Sequence, residues 1–314
     1  MTFNNSKILI TGGFGALGYN LIKYLTANYS CTIQVIDNFS AGHTNFSNQV
    51  SFSYIDIGNT EKLNTFFKNY QPNFIFHLAA HFANQNSVDH PLSDINTNVK
   101  GVVNLFETQK NNKDLKKIIF ASSSCVYGNS EIMKEDVHVS PYDTPYAINK
   151  FVGELYCKYY AEIHSIPIVS VRIFNSFGPG EMPGQYRNVI PNFIQKALLN
   201  QTIKITGSGE ETRDFTYVED TVDLFLKLAI SKYKRAEVFN GGTGTRVSIK
   251  KLAEEIIFLT GSKSEISYTA PRIWDHVKDR CANIEKSKKL LGYNPNHDFR
   301  SGLVKTIDWI KEKL

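Results

Sequence analysis

Cysteine is scarce in this chain of 314 residues, and its four copies are widely spaced. Cys31, Cys125, Cys157 and Cys281 form no CxxC pair, the spacing that many zinc and redox sites use. We therefore interpret them as free, buried thiols in a reducing compartment. The sequence predicts no metal site.

Long apolar runs and blocks of like charge are also missing. No stretch approaches the ~18 apolar residues of a membrane-spanning helix, and the first residues lack the pattern of a secretion signal. Lys and Arg number 35 against 30 Asp and Glu, yet no run of five basic residues predicts a nucleic-acid tail. We expect a cytoplasmic protein that binds neither membrane nor nucleic acid. Its small positive charge suits an anionic small molecule.

Short apolar segments alternate with amphipathic ones over the first 175 residues. Strands are predicted at 7–11, 32–37, 50–57, 73–80, 116–124 and 167–174, with helices at about 15–27, from about 59, at 93–111 and at 144–164. Strands that are apolar on both faces and alternate with helices indicate a parallel sheet covered on both sides. The predicted fold is α/β, with a doubly wound sheet of the Rossmann type.

The pattern changes after Asn175. Residues 177–184 are rich in glycine and proline and predict a loop. Shorter mixed elements follow it: helices near 190–199, 219–232 and 248–260, and a strand at 202–206. We predict a first domain at 1–175 and a smaller C-terminal α/β lobe at 176–314. Parts of about 214–247 are expected to return to the first domain.

Three glycines follow the first predicted strand, in the segment ILITGGFGALG. A helix N-terminus presents unpaired N–H groups and a partial positive charge, and a diphosphate reaches them only where side chains are absent. Gly12 permits the tight turn, Gly15 lets the backbone approach the phosphates, and Gly18 lets helix and strand pack closely. The strand–glycine–helix context is typical of a dinucleotide site.

The second predicted strand ends in Asp37. A carboxylate at this point accepts hydrogen bonds from the adenosine ribose and repels a 2′-phosphate. We therefore predict NAD rather than NADP as the cofactor.

Two further motifs carry chemistry. In PYAINK, Tyr146 and Lys150 share one face of a predicted helix. The ammonium is expected to lower the pKa of the Tyr146 phenol, which makes it a usable base near neutral pH. The segment FASSSCVYG, at the end of the fifth strand, offers a hydroxyl to the reacting oxygen of a substrate.

Together, GxxGxxG, YxxxK and the serine segment resemble extended short-chain dehydrogenases/reductases, and more narrowly the NAD-dependent nucleotide-sugar epimerases and dehydratases, of which UDP-glucose 4-epimerase is the best known. The resemblance implies that Ser123, Tyr146 and Lys150 are catalytic. The cofactor-binding residues it implies are Gly12, Phe14, Gly15, Ala16, Gly18, Asp37, Asn38, Asp56, Ile57, Leu78, Ala79, Ala80, Asn98, Tyr146 and Lys150. The substrate-binding residues it implies are Ser123, Asn175, Asn188, Val189, Arg213, Arg272 and Asp275. The first domain would thus bind NAD and the lobe a nucleotide-diphosphate sugar, with UDP favoured.

The resemblance also implies a reaction. Tyr146 takes a proton from a sugar hydroxyl, commonly O4, hydride leaves the same carbon for the nicotinamide, and Ser123 stabilises the developing carbonyl oxygen. Return of hydride to the other face inverts C4. The alternatives are a reductase of 4-keto-6-deoxy sugars that uses NAD(P)H and, less favoured, a non-catalytic dinucleotide sensor or scaffold.

Positions 123–125 argue against two related reactions. Dehydratases carry Thr-Asp-Glu there and decarboxylases usually a Glu, whereas this chain has Ser-Ser-Cys. Dehydration and decarboxylation are therefore not expected.

Two surface features complete the predictions. Arg280 lies near the wall of the implied sugar pocket, and we expect it to be solvated, with a contact to a carboxylate as the alternative. The helix over 149–164 has an apolar arc broader than one core-facing stripe needs. The surplus predicts packing against a second copy, and hence a homodimer.

Overall fold

Fourteen strands and eleven α-helices make up the part of the chain that the structure describes. The computed structural model describes residues 2–41 and 50–314. The strands are β1 Lys7–Thr11, β2 Thr32–Asp37, β3 Ser51–Tyr54, β4 Phe74–His77, β5 Lys117–Ser123, β6 Ile168–Ile173, β7 Ser176–Phe177, β8 Ile203–Thr206, β9 Thr212–Arg213, β10 Thr216–Tyr217, β11 Arg235–Gly241, β12 Val247–Ser248, β13 Ile266–Thr269 and β14 Asp279–Arg280. The helices are α1 Ala16–Asn28, α2 Thr60–Asn69, α3 Asn84–Asp89, α4 Pro91–Ile95, α5 Gly101–Gln109, α6 Pro145–Ile163, α7 Val189–Leu198, α8 Val218–Ile230, α9 Ile249–Thr260, α10 Glu285–Leu291 and α11 Phe299–Lys311.

Seven parallel strands form the central sheet, in the order β11, β6, β5, β4, β1, β2, β3. Chain order reverses between β1 and β4, where Ile8 pairs with Phe74. In open sheets of this kind, a crevice for ligands forms at such a reversal, beyond the carboxyl ends of the strands. The predicted doubly wound α/β fold is confirmed.

Helices cover both faces of this sheet because its strands are apolar on both sides. All seven residues of β5 are buried. On one face, α1 and α8 contribute Leu21 and Phe225 to a common core. On the other, α2, α5 and α6 contribute Phe67, Phe106 and Tyr160.

Residues of the C-terminal part of the chain form a further apolar core. This core is formed by α7, α9 and α11 around the parallel pair β8 and β13. Strand β9 pairs with both β12 and β14. Strand β11, although late in the chain, pairs with β6 in the large sheet. Within the described ranges, every helix is too short or too polar to span a bilayer.

The long helix predicted over 93–111 is interrupted. Helix α4, a π-helical turn at Asn96–Lys100 and α5 replace it. The buried Asp94 carboxylate accepts hydrogen bonds from Nδ2 of Asn98 at 2.8 Å and of Asn149 at 2.6 Å. These bonds tie the irregular turn to α6, a contact between distant segments that helical periodicity does not reveal.

Two predicted strands are shorter than expected at their carboxyl ends. Strand β3 stops at Tyr54, because Asp56 then accepts the Gly58 N–H at 2.8 Å and starts a turn. Strand β4 stops at His77, and residues 78–80 leave the sheet to line a cleft.

Candidate active site

A cleft of ≈ 1010 Å³ opens at the carboxyl ends of β1, β4, β5 and β6 and continues between the sheet and the C-terminal lobe. Most of the predicted site residues line it: Gly12, Gly15, Ala16, Asp37, Asn38, Asp56, Ile57, Leu78, Ala79, Ala80, Ser123, Tyr146, Lys150, Asn175, Asn188, Val189, Arg213, Arg272 and Asp275. Residues that are distant in sequence are therefore brought to one cavity.

The glycine turn leaves a bare backbone surface on this cleft. Gly12 has φ +68°, and a Cβ added there would lie 2.7 Å from the Cα atom of Ala79. Gly15 is the N-cap of α1 and contributes no side chain to the helix N-terminus. A Cβ at Gly15 would meet only the Gly12 carbonyl oxygen, at 3.4 Å. This cradle fits a diphosphate.

Three predicted cofactor residues, Phe14, Gly18 and Asn98, lie outside the cleft lining. Gly18 serves packing, because a Cβ there would lie 2.4 Å from the carbonyl oxygen of Gly13. The Asn98 amide instead holds the main chain of His81, donating to its oxygen and accepting from its N–H, both at 3.1 Å. These residues therefore support the walls of the cleft without lining it.

Asp37 stands at the end of β2 and faces the cleft, although only 8% of the residue is exposed. Its Oδ2 accepts the Phe14 N–H at 2.9 Å and its Oδ1 accepts the Phe39 N–H at 2.8 Å. Next to it, Nδ2 of Asn38 donates to Oδ2 of Asp56 at 2.8 Å. Backbone donors thus fix the carboxylate at the position where a ribose is expected to bind.

Ser123, Tyr146 and Lys150 are buried together at the inner end of the cleft. Ser123 ends β5, and its Oγ accepts the Cys125 N–H at 3.1 Å. Tyr146 lies in the first turn of α6, whose N-cap is the Thr144 side chain. The Lys150 Nζ is 5.6 Å from the centre of the Tyr146 ring. Strand end and helix start therefore hold the three groups in one place.

Burial controls the ionisation of this group. It raises the pKa of Tyr146 above its ordinary value, while the neighbouring Ser123 hydroxyl acts in the opposite direction. Burial lowers the pKa of Lys150 to about 8. The expected lowering of the Tyr146 pKa by Lys150 is wrong for this arrangement, because the ammonium donates to the Ala121 carbonyl at 2.8 Å and desolvation of the phenol dominates.

His77 is a neighbour of this group that the sequence did not single out. Its Nδ1 forms a hydrogen bond with Oγ1 of Thr11 at 2.7 Å, and its ring stacks on Phe120. Burial and the nearby Lys150 charge lower the pKa of His77 to about 3. The imidazole is therefore neutral at ordinary pH.

Charged side chains from the C-terminal lobe line the outer part of the cleft. Nη2 of Arg213 lies 3.4 Å from Oδ1 of Asp275. The Arg272 guanidinium lies 5.4 Å from the centre of the Trp274 ring. The two predicted diphosphate-binding arginines thus reach the same cavity from separate segments, while Asp275 pairs with one of them.

Two residues that line the cleft differ from the predictions: Glu181 was not predicted to be there, and Arg280 was predicted to be solvated. The buried Glu181 accepts hydrogen bonds from N and Nδ2 of Asn188, both at 3.0 Å. It lies in the irregular loop after β7, where no periodic signal marked it. The prediction that Arg280 is solvated is wrong, because only 8% of the residue is exposed.

The motif pattern and the cleft agree with a family comparison. The model of the NAD dependent epimerase/dehydratase family matches residues 8–242. The chain belongs to this family. The predicted resemblance is confirmed, and so is NAD as the cofactor.

Curated relatives of the chain perform different reactions. A putative UDP-glucose 4-epimerase of Methanocaldococcus jannaschii is 34% identical over 312 residues, which cover 97% of this chain and 98% of that protein. A UDP-N-acetyl-alpha-D-glucosaminuronate decarboxylase of Bacillus cytotoxicus is 31% identical over 319 residues, covering 98% of each. Epimerases and decarboxylases are thus both among its relatives.

Solved structures share the fold over nearly the whole chain. An epimerase of Methanothermobacter thermautotrophicus is similar with a TM-score of 0.94 and 38% identity, covering 99% of this chain and 94% of that one. A Thermus thermophilus UDP-glucose 4-epimerase, solved in complex with NAD, has a TM-score of 0.90 and 25% identity, covering 98% and 100%. The chain is therefore an enzyme-family member with the architecture of epimerases.

Proposed function

We propose that this protein is an NAD-dependent 4-epimerase of a nucleotide-diphosphate sugar, with a UDP-sugar as the favoured substrate. One observation carries the proposal: Ser123, Tyr146 and Lys150 converge in the same cleft as the bare glycine turn and the lobe arginines. A hydroxyl, a phenol and an ammonium next to a dinucleotide site form the set that oxidation and re-reduction of one carbinol carbon require.

The first domain would hold NAD with residues already in the cleft. The diphosphate would face the backbone at Gly12, Gly15 and Ala16, and Asp37 would accept the ribose hydroxyls. When bound, NAD supplies the acceptor, and then the donor, of one hydride.

The protein's own residues would move and stabilise protons around that transfer. Tyr146 would remove the proton of the sugar hydroxyl and return it after the sugar turns over. Ser123 would donate a hydrogen bond to the oxygen as it becomes a carbonyl. Lys150 would balance the charge of the phenolate from its position against the Ala121 carbonyl.

The wall after Ser123 favours epimerisation over the other family reactions. Ser124 and Cys125 are buried there, where dehydratase relatives are expected to carry an acid and a base. Neither is a carboxylate, so no group at these positions can drive elimination across C5–C6.

Purified protein tests this proposal directly. We expect absorbance from co-purified NAD, and inversion at C4 of UDP-glucose or UDP-N-acetylglucosamine, followed by NMR, without added cofactor. The Tyr146→Phe variant should lose turnover while it keeps its bound NAD. Turnover that appears only with added NAD(P)H and a 4-keto sugar would replace the epimerase with the reductase alternative. Normal turnover of the variant would contradict the role of Tyr146.

The surface of α6 supports a homodimer as part of the same proposal. Four apolar side chains along this helix are between 42% and 64% exposed: Ile148, Leu155, Tyr159 and Ile163. A second copy of the helix would cover them, because exposed apolar patches of this kind commonly mark protein–protein contacts.

A further inference from the structure

Arg280 occupies an unusual place in the cleft wall. It lies in β14, beside Arg213 of β9 in the parallel pairing of the two strands. Both arginines line the cleft, and Arg280 is 92% buried. A guanidinium withdrawn from water to this extent needs compensating acceptors.

The acceptors present do not compensate it. Nη1 of Arg280 lies 3.4 Å from Sγ of Cys125, which is a weak acceptor. Its buried Nε has no hydrogen-bond partner among the described residues. Neither of these two nitrogens therefore has an oxygen as hydrogen-bond partner among the described residues.

Two carboxylates, those of Asp275 and Asp143, lie near the Arg280 charge. Asp275 is paired with Arg213 at 3.4 Å. Asp143 is close enough for its charge to interact with Arg280, but it does not line the cleft, and neither of its oxygens has a hydrogen-bond partner among the described residues. His276 also acts on the Asp143 carboxyl and adds no negative charge. A ligand at this wall therefore meets the guanidinium groups of Arg213 and Arg280, together with the Asp275 carboxylate that pairs with Arg213.

The position of Arg280 points to the sugar rather than to the nucleotide. Its partner Cys125 donates its N–H to Oγ of Ser123 at 3.1 Å, so the guanidinium and the hydroxyl proposed to be catalytic both contact Cys125. If C4 is the reacting carbon, the C6 group lies only two bonds beyond it. A carboxylate there could accept two parallel hydrogen bonds from the planar guanidinium.

Building on the proposed function, we propose that Arg280 is a specificity-determining residue that binds a carboxylate on the sugar, and that the substrate class is nucleotide-linked uronic acids. The inference rests on the C4 chemistry only for the orientation of the sugar. Binding of the carboxylate is a separate property that can be measured without turnover.

UDP-glucuronate and UDP-glucose form a matched pair of probes, because they differ only in the oxidation state of C6. Titration calorimetry on the NAD-loaded protein should show tighter binding of UDP-glucuronate. Arg280→Met should weaken that binding by at least about 30-fold, as removal of one partner of a buried charge pair does. Binding of UDP-glucose should change by less than about twofold. Arg280→Lys should restore part of the preference, since it keeps the charge and loses the two-pronged geometry.

Arg246→Met is the control, because it removes the same charge from a side chain that is 55% exposed and does not line the cleft. It should leave both affinities unchanged. Melting temperatures identify variants that fail to fold, and Arg280→Gln then takes the place of the methionine variant.

Three results would overturn the inference: equal weakening of UDP-glucuronate, UDP-glucose and free UDP, which assigns Arg280 to the diphosphate; no weakening of any; or no preference of the parent protein for the uronate. Failure of the proposed function has a different signature. An Arg280-dependent preference for UDP-glucuronate without C4 inversion, or with release of CO₂, would refute the epimerase and support the carboxylate site.

Discussion

Lys150 lies one helical turn after Tyr146, with its Nζ 5.6 Å from the centre of the phenol ring. The ammonium is directed toward the end of β5, where it donates to the carbonyl of Ala121. The charge thus contacts both the phenol ring and the strand that ends at Ser123. A negative charge on the phenol oxygen would interact with this ammonium through a buried, water-poor environment.

Removal of the Lys150 ammonium should lower kcat more than it weakens binding of the sugar substrate. We expect Lys150→Met to lower kcat at least about 100-fold, because the phenolate loses its counter-charge during proton transfer. Steady-state kinetics on the active sugar would measure it. As a matched control, Lys158→Met on the exposed side of the same helix should keep the parental kcat. A normal kcat in Lys150→Met would remove this residue from the mechanism.

Burial of Lys150 should also make stability depend on pH. Its folded-state pKa is lowered to about 8 from 10.5, so the unfolded chain holds the extra proton between these values. Stability must then rise with pH across this window, and the cost of burying the ammonium is fully present below about pH 8. Denaturant unfolding of wild type and Lys150→Met at pH 7 to 10 isolates this site from other titrating groups. As the pH rises, the free energy of unfolding of wild type should increase relative to that of the variant by up to about 3 kcal/mol. A constant difference would contradict the shift.

Two substitutions in the glycine turn should behave differently. At Gly12, φ is +68° and a new Cβ would collide with the Ala79 main chain, so Gly12→Ala should lower the melting temperature and abolish NAD binding. Gly15 has φ −75°, and its new Cβ meets only an ordinary contact. Gly15→Ala should therefore cost about 1 kcal/mol or less of stability and still lose NAD, because the methyl group fills the cradle. Thermal unfolding and NAD content of the purified variants separate the two effects. Full NAD occupancy in Gly15→Ala would place the diphosphate elsewhere.

The exposed apolar side of α6 gives a prediction about assembly. Leu155→Glu combined with Tyr159→Glu should convert a dimer into a monomer, since two charges would be buried in the contact. Sedimentation velocity would follow the change. Phe258→Glu, on α9, is the control: this side chain is 70% exposed and lies away from α6, so it should not alter the mass. A parent protein that sediments as a monomer would contradict the dimer.

The sequence predicts the central sheet well for a physical reason. Strands such as β1 and β5 are apolar on both faces and are bounded by turn residues, so their position follows from local composition. The glycine turn and the YxxxK pair are equally local. Their meeting in one cleft follows once the strand order is known.

What the sequence does not predict depends on contacts between distant segments. The break in the helix over 93–111 comes from bonds that Asp94 makes to α6. The burial of Arg280 comes from the pairing of β14 with β9, two strands of two residues each that carry almost no local signal. The rise in the pKa of Tyr146, which burial causes, likewise follows from packing rather than from the i to i+4 spacing.

The return of β11 to the large sheet has a consequence for how the chain can be divided. Every residue of β6 except the last is buried, and among the described strands only β11 pairs with its outer edge. A fragment that ended near residue 175 would leave that edge as a row of unsatisfied amides and carbonyls on an apolar strand, a template for self-association. The part of the chain that carries the glycine turn thus depends on a segment translated some sixty residues later, so the residues before and after position 175 must assemble together.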